Sequence, residues 1–219
     1  MNDFLLTLIY RVATYKIIVF MASLLLTLVL VVLIRKKSLK PLGALPAVMA
    51  FFNIFFGSAL SSKLIYRHGE KGMGKVVAVE QTNSRYNDQW IYAYSVLLRT
   101  ADGNTVETSF RSDDFMMYPA PDEGYNYPAQ GVEFEVRYVR SHPGAFVIVT
   151  DGESDYSRQQ RCAKAILEVS TARSKYEFAR ENAEYKQRYA QSIQHYLDQA
   201  CATDTHTVTY YRAEINKLK

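Results

Sequence analysis

Four histidines, His68, His142, His195 and His206, are the first residues to weigh for metal or acid–base chemistry, because imidazole titrates near neutral pH. None stands at ligand spacing from a cysteine or another histidine, so they carry no zinc-type pattern. The stretch Asp151-Gly152-Glu153-Ser154-Asp155 puts acids at alternate positions, as a calcium loop does. It lacks a Glu at the twelfth position and reads as a solvated turn that caps a helix. The carboxylates Asp113 and Asp114 are adjacent, but nothing in the sequence supplies the second half of a general acid–base pair. There is no G-x-S-x-G, P-loop or dinucleotide fingerprint. The expectation is a non-enzymatic protein, with no catalytic, cofactor-binding or metal residue to assign.

Two other groups have chemical content. Cys162 and Cys201 flank Asn182 at nearly equal distances, 20 and 19 residues. If the chain reverses near Asn182, they meet at the open end of a helical hairpin, and an oxidising compartment permits a disulfide. In a continuous helix they lie about 58 Å apart and cannot bond. No Gly or Pro marks a turn there, which favours the bent or continuous helix. The segment Phe115–Gln130 is long for a connection between strands and carries Met116, Met117, Tyr118, Tyr125 and Tyr127 among three prolines. Prolines reduce the entropy lost in holding a loop, and Tyr is favoured in interfaces, so these five residues are candidates for partner binding. The competing reading is that Phe115, Met116 and Tyr118 plug one end of the fold.

The elements that position these groups begin with an anchor. Residues 17–34 are uncharged and contain no Gly or Pro. As a helix they reach roughly 27 Å, about the hydrocarbon thickness of a bilayer. A second apolar run covers 42–60, giving a two-helix transmembrane anchor over 17–62. Asn53 and Gly57 are four apart on one face of it, a small-and-polar pair suited to packing against the neighbouring helix or a second copy. Residues 1–16 hold a short apolar stretch interrupted by Arg11 and Lys16, read as a helix lying at the interface. Residues 1–69 hold eight of the 26 basic residues and one acid, leaving 18 basic and 21 acidic residues for the remainder. The positive charge therefore belongs to the anchor, where it sets topology, and nucleic acid is excluded as a partner. The loop 35–43 carries four basic residues and no acid, which places it in the cytoplasm and the following domain in the periplasm. Lys63, Arg67, Lys71 and Lys75 argue the other way.

The Gly-rich run 68–74 reads as a flexible linker. Strand signals follow at 75–81, 90–99, 105–111, 132–139 and 145–150, with Asp102-Gly103 as a hairpin turn. The fold expectation is a membrane-anchored α+β chain: a small antiparallel β domain of about five strands over 74–151, open and barrel-like, then a long helix or helical hairpin over 154–202. Thr205–Tyr211 is expected to be a short strand before a basic end in 203–219.

Several strand and turn residues carry a resemblance. Gly74-Lys75-Val76-Val77, Tyr92-x-Tyr94-x-Val96 leading to Asp102-Gly103, Gly131-Val132-x-Phe134-x-Val136-x-Tyr138, and His142-Pro143-x-x-Phe146-x-Ile148 resemble a group of uncharacterised bacterial inner-membrane proteins. Those proteins carry a small β-barrel-like domain beside one or two membrane helices. The resemblance covers residues 74–150 and implies fold, with no site residues to transfer. Here both helices precede the domain and a helical region follows it, unlike the usual members.

The expected function is binding. The partners are the lipid bilayer and another envelope protein, either a toxin neutralised by this chain as an immunity protein or a subunit of a complex. A homo-oligomer through the transmembrane helices is a further expectation. The alternatives are a structural membrane protein and a small-ligand sensor, which requires a polar cluster inside a pocket.

Overall fold

In the computed structural model the described residues are 2–34, 37–121 and 126–218, apart from the side chains of 37–40. The chain divides into two compact units, Met1–Asp151 and Gly152–Lys219.

The first unit starts with α1 (Asp3–Thr14), whose first turn is capped by the Asn2 side chain accepting from the Phe4 N–H. Helical geometry breaks at Tyr15, and α2 follows directly (Lys16–Leu33). A 3-10 segment (Lys37–Ala44) returns the chain into α3 (Leu45–His68). Pro46 sits in the first turn of α3, where a missing N–H breaks no helical bond. Both α2 and α3 are long and apolar enough to cross a membrane. No residue of α2 is buried, whereas α3 buries Ala50, Gly57, Ser61 and Ile65 along one stripe.

The α+β expectation stands: a six-strand open mixed sheet follows. Its strands are β1 (Glu70–Tyr86), β2 (Gln89–Arg99), β3 (Thr105–Arg111), β4 (Met117–Tyr118), β5 (Glu133–Val139) and β6 (His142–Val149). They lie in the order β3-β2-β1-β5-β6-β4. The pairings put Val76, Val96, Leu98, Phe110, Phe134, Val136, Tyr138, Phe146 and Ile148 on one face, and all nine are buried. Each such side chain contributes roughly 1.5–3 kcal/mol by leaving water. The sheet curls around them: Phe110 on β3 meets Phe146 on β6 edge-on at 6.1 Å, although the two strands are not neighbours. An irregularity in β1 between Val76 and Ala78 is a bulge of the kind that increases twist and curl. On the opposite face of β5 and β6, Val139, Ala145 and Val147 pack with Leu6 of α1 and Ile65 of α3.

Three expectations for this unit need correction. The sheet is mixed, because β4 pairs with β6 in parallel while the other pairings are antiparallel. The Gly-rich run is the first part of β1 and not a flexible linker. Its glycines make room for rings crossing from β5. A Cβ on Gly74 would lie 2.5 Å from the Phe134 ring, and one on Gly72 would lie 3.1 Å from the Tyr138 ring. The N-terminal helix is longer than the apolar stretch suggested, running to Thr14, and it packs Leu6 and Tyr10 on the sheet unit.

The second unit contains α4 (Asp155–Phe178), α5 (Ala183–Asp198) and α6 (Thr205–Lys217). The chain reverses between α4 and α5 without Gly or Pro, since the Asn182 side-chain oxygen Oδ1 caps α5 by accepting from the N–H groups of Glu184 and Tyr185. This overturns the preference for a bent or continuous helix and bears out the helical hairpin. Cys162 and Cys201 are joined in a disulfide with Cα atoms 5.3 Å apart. The segment expected to be a strand at Thr205–Tyr211 is the first half of α6, capped by Asp204 accepting from the Thr207 N–H at 2.7 Å. Tyr211, Ile215 and Leu218 recur at helical spacing and close on Val169, Tyr189 and Ile193.

Candidate functional site

The first unit contains a cavity of about 230 Å³ where α1, α3 and the β3–β4 connection converge. The break at Tyr15 turns the chain so that Tyr10, Ala13 and Thr14 of α1 and Lys16 of α2 line one side. Ser58, Ser61 and Ser62 lie on α3 at i, i+3 and i+4, so one face of the helix delivers all three hydroxyls. Asp113 and Asp114 come from the turn after β3. That turn is held by Arg111: its N–H donates to the Asp114 carboxylate at 2.6 Å and its Nε pairs with Asp113 at 3.1 Å. Ser61 is 4% exposed, and its Oγ has no hydrogen-bond partner among the described residues. Desolvation, followed by repulsion from Asp113, raises the Asp114 carboxyl above its ordinary range, against the hydrogen bond from the Arg111 N–H. Desolvation likewise raises the Tyr10 phenol. A polar cluster in a pocket is what the small-ligand alternative required. Sequence reading missed it because three serines in an apolar run look like tolerated residues.

A second feature is the end of the β1–β2 hairpin. Asn87 and Asp88 both have positive φ, 48° and 61°, the backbone that a two-residue turn of this hand requires and that Asn and Asp accept most readily. The turn presents Tyr86, 55% exposed, and Trp90, 38% exposed. The Arg85 guanidinium stacks 3.8 Å over the Trp90 ring. Phe115 meets Tyr86 edge-on at 6.2 Å. Phe115 has φ 53°, which is uncommon for a bulky residue and fixes where its ring projects. Trp, Tyr and Arg are the types that dominate binding energy at interfaces. The sequence signal for this patch was present in Arg85-Tyr86-Asn87-Asp88 followed by Trp90.

The five loop residues chosen from sequence behave differently from one another. Met117 is buried and forms β4 against Ile148. Tyr118 packs on Tyr66 with ring centres 4.8 Å apart. Tyr127 packs on Tyr94 and Phe110, and its hydroxyl accepts from the Met116 N–H at 3.3 Å. Met116 lines the cavity, and Tyr125 lies outside the described residues. The described residues Met117, Tyr118 and Tyr127 thus fold onto the sheet, and Phe115 is exposed at the hairpin patch. Asn53 and Gly57 act together, but toward α1: the Asn53 Nδ2 donates to the Val12 carbonyl at 2.9 Å, and a Cβ on Gly57 would collide with the Asn53 amide. Of the histidines, His68 ends α3, His142 opens β6 with its ring 6.0 Å from that of Tyr10, and His195 and His206 lie on α5 and α6. Among the described residues no group of three or more His, Cys, Asp or Glu converges as a metal site would. The acids at 151–155 serve local roles: Asp151 accepts from the Tyr66 hydroxyl at 2.8 Å, and Ser154 caps α4.

No protein family, no curated protein and no solved structure matches the chain.

Proposed function

We propose that the chain is a non-enzymatic binding protein of the bacterial inner membrane, with α2 and α3 crossing the bilayer and the sheet unit meeting a protein partner in the envelope. The observation that carries this reading is the exposure of α2. Ile17, Ile18, Met21, Leu25, Leu28, Val32 and Leu33 are each more than half exposed, on a helix that buries none of its residues. An apolar surface of that size is unfavourable in water and neutral in hydrocarbon. The Cys162–Cys201 disulfide supports a periplasmic location for the second unit, since such bonds persist in oxidising compartments. The basic 35–43 loop supports the same orientation.

The surface we assign to the partner is the hairpin end, Arg85, Tyr86 and Trp90, together with Phe115. The partner is either a membrane- or periplasm-acting toxin, which makes the chain an immunity protein, or a subunit of an envelope complex. A photo-crosslinking residue at Tyr86 or Trp90, introduced in the full chain in cells, is expected to give a discrete higher-mass product whose partner mass spectrometry identifies. Crosslinks to lipid alone from both positions would overturn the assignment. Deletion of the gene separates the two partner classes: only the immunity role predicts new sensitivity to toxins of sibling cells. A carboxy-terminal alkaline phosphatase fusion is expected to be active, and fluorescence of a green fluorescent protein fusion would reverse the orientation.

A further inference from the structure

The polar cavity adjoins a second, largely apolar hollow of about 220 Å³. Phe55, Ala59, Met117, Tyr118 and Ala120 line the second hollow, and Ser58, Ser62 and Phe115 line both. A ligand occupying the two has a polar end and an apolar continuation. The depth of the site is set by the helices. Lys16 is the first residue of α2, immediately before the exposed Ile17 and Ile18, and Phe55, 63% exposed, lies one turn from Ser58 on α3. The site therefore stands where the apolar surface of the helices begins. That location rests on the membrane-anchored reading above.

The charges select among amphiphiles. Lys16, Asp113 and Asp114 line the polar cavity and Arg111 pairs with Asp113, so the local charges balance and suit a zwitterionic headgroup better than one of net charge. A primary ammonium suits Asp113 and Asp114, because it donates hydrogen bonds to carboxylates, whereas a quaternary ammonium cannot. Lys16 and the hydroxyls of Ser58 and Ser62 are donors for a phosphate. Ser61, buried on the same face of α3, also lines this space. The volume is that of roughly seven or eight water molecules, enough for a phosphoethanolamine group. We infer that the paired hollows between α1, α3 and the β3–β4 connection bind one aminophospholipid of the phosphatidylethanolamine class, its ammonium on Asp113 and Asp114, its phosphate at Lys16 and the α3 serines, and its glycerol end against Phe55 and Phe115.

The test uses the full-length protein in a nonionic detergent, titrated with phosphatidylethanolamine, phosphatidylcholine, phosphatidylglycerol and soluble phosphoethanolamine, with bound lipid counted by native mass spectrometry. The expected result is a single adduct with phosphatidylethanolamine, about tenfold tighter than with either other lipid, a difference of about 1.4 kcal/mol. Asp114→Asn keeps an oxygen for the Arg111 N–H and is expected to erase the preference. Ser62→Leu, which fills the junction of the two hollows, is expected to abolish the adduct while leaving the thermal unfolding midpoint within a few degrees. Equal binding of the three lipids, or an unchanged preference in both variants, overturns the proposal. Equal binding of soluble phosphoethanolamine overturns the lipid as its source. Failure of the anchor reading is distinguishable: the protein would then remain in the supernatant after high-speed centrifugation of detergent-free lysate.

Discussion

At the scale of single residues, Asn53 and Gly57 show how a small residue and an amide cooperate. The amide bridges from α3 to the last turn of α1, and the absence of a side chain at 57 leaves it room. Asn53→Leu is expected to lower stability by about 1 kcal/mol, the size of one net hydrogen bond. Gly57→Leu both displaces the amide and overpacks the contact, for a loss of about 1–3 kcal/mol more. Thermal unfolding of the detergent-solubilised protein measures both. A second residue, Tyr189, has its phenol pushed up to about 12 from 10.0, first by burial and then by Glu214. Folding favours its neutral form, so its contribution is complete below pH 10 and is lost as pH rises from 10 toward 12. Tyr189→Phe is expected to flatten that part of the pH–stability curve, followed by circular dichroism. The pairing of Asn53 with Gly57 was legible in the sequence from their spacing. Its direction, toward α1, was not, because spacing fixes a shared face and says nothing of which neighbour that face meets.

At the scale of elements, periodicity located what it can locate. The alternation Phe134, Val136, Tyr138 identified β5, and the Asp102-Gly103 signal identified the β2–β3 turn. Errors arose where one residue type serves two purposes. Glycine at 72 and 74 suggested freedom but provides clearance for rings. Val208, Thr209 and Tyr210 have β propensity, yet the Asp204 cap and the packing of Tyr211, Ile215 and Leu218 make the segment helical. The reversal before α5 needed only an asparagine cap, a weaker text signal than Gly or Pro. The disulfide then closes α4, α5 and the turn after them into a loop with a sequence separation of 39. Loop-closure entropy for that length is about 4 kcal/mol. Cys201→Ser is expected to lose roughly 2–4 kcal/mol in the helical unit and to leave the sheet unit unchanged, read by hydrogen exchange of the full chain.

At the scale of the molecule, α3 and the sheet are joined without slack. Ile65 is in the sheet core, Tyr66 bonds Asp151, the Gly69 N–H closes on the Ile65 carbonyl at 2.7 Å, and β1 begins at Glu70. A Cβ on Gly69 would lie 2.6 Å from the Ile65 carbonyl and 2.8 Å from that of Tyr138. Gly69→Val is therefore expected to destabilise the junction by about 1–3 kcal/mol and to expose 66–72 to limited proteolysis in membrane vesicles. The candidate cavity and the hairpin patch were only partly legible from the text. Each combines residues far apart in the chain, Lys16 with Asp114 or Phe115 with Tyr86, and only tertiary packing brings them together.

That seamless joint limits reach. At 1.5 Å per residue, α3 measures roughly 36 Å, only about one helical turn more than hydrocarbon consumes. If α3 spans the bilayer as proposed, the sheet would ride on the lipid surface like a fitting bolted to a deck, with no tether on which to swing. Whatever engages it would then arrive by sideways diffusion in the membrane plane or press close to that plane, and lengthening α3 by one turn would lift the whole sheet away from it.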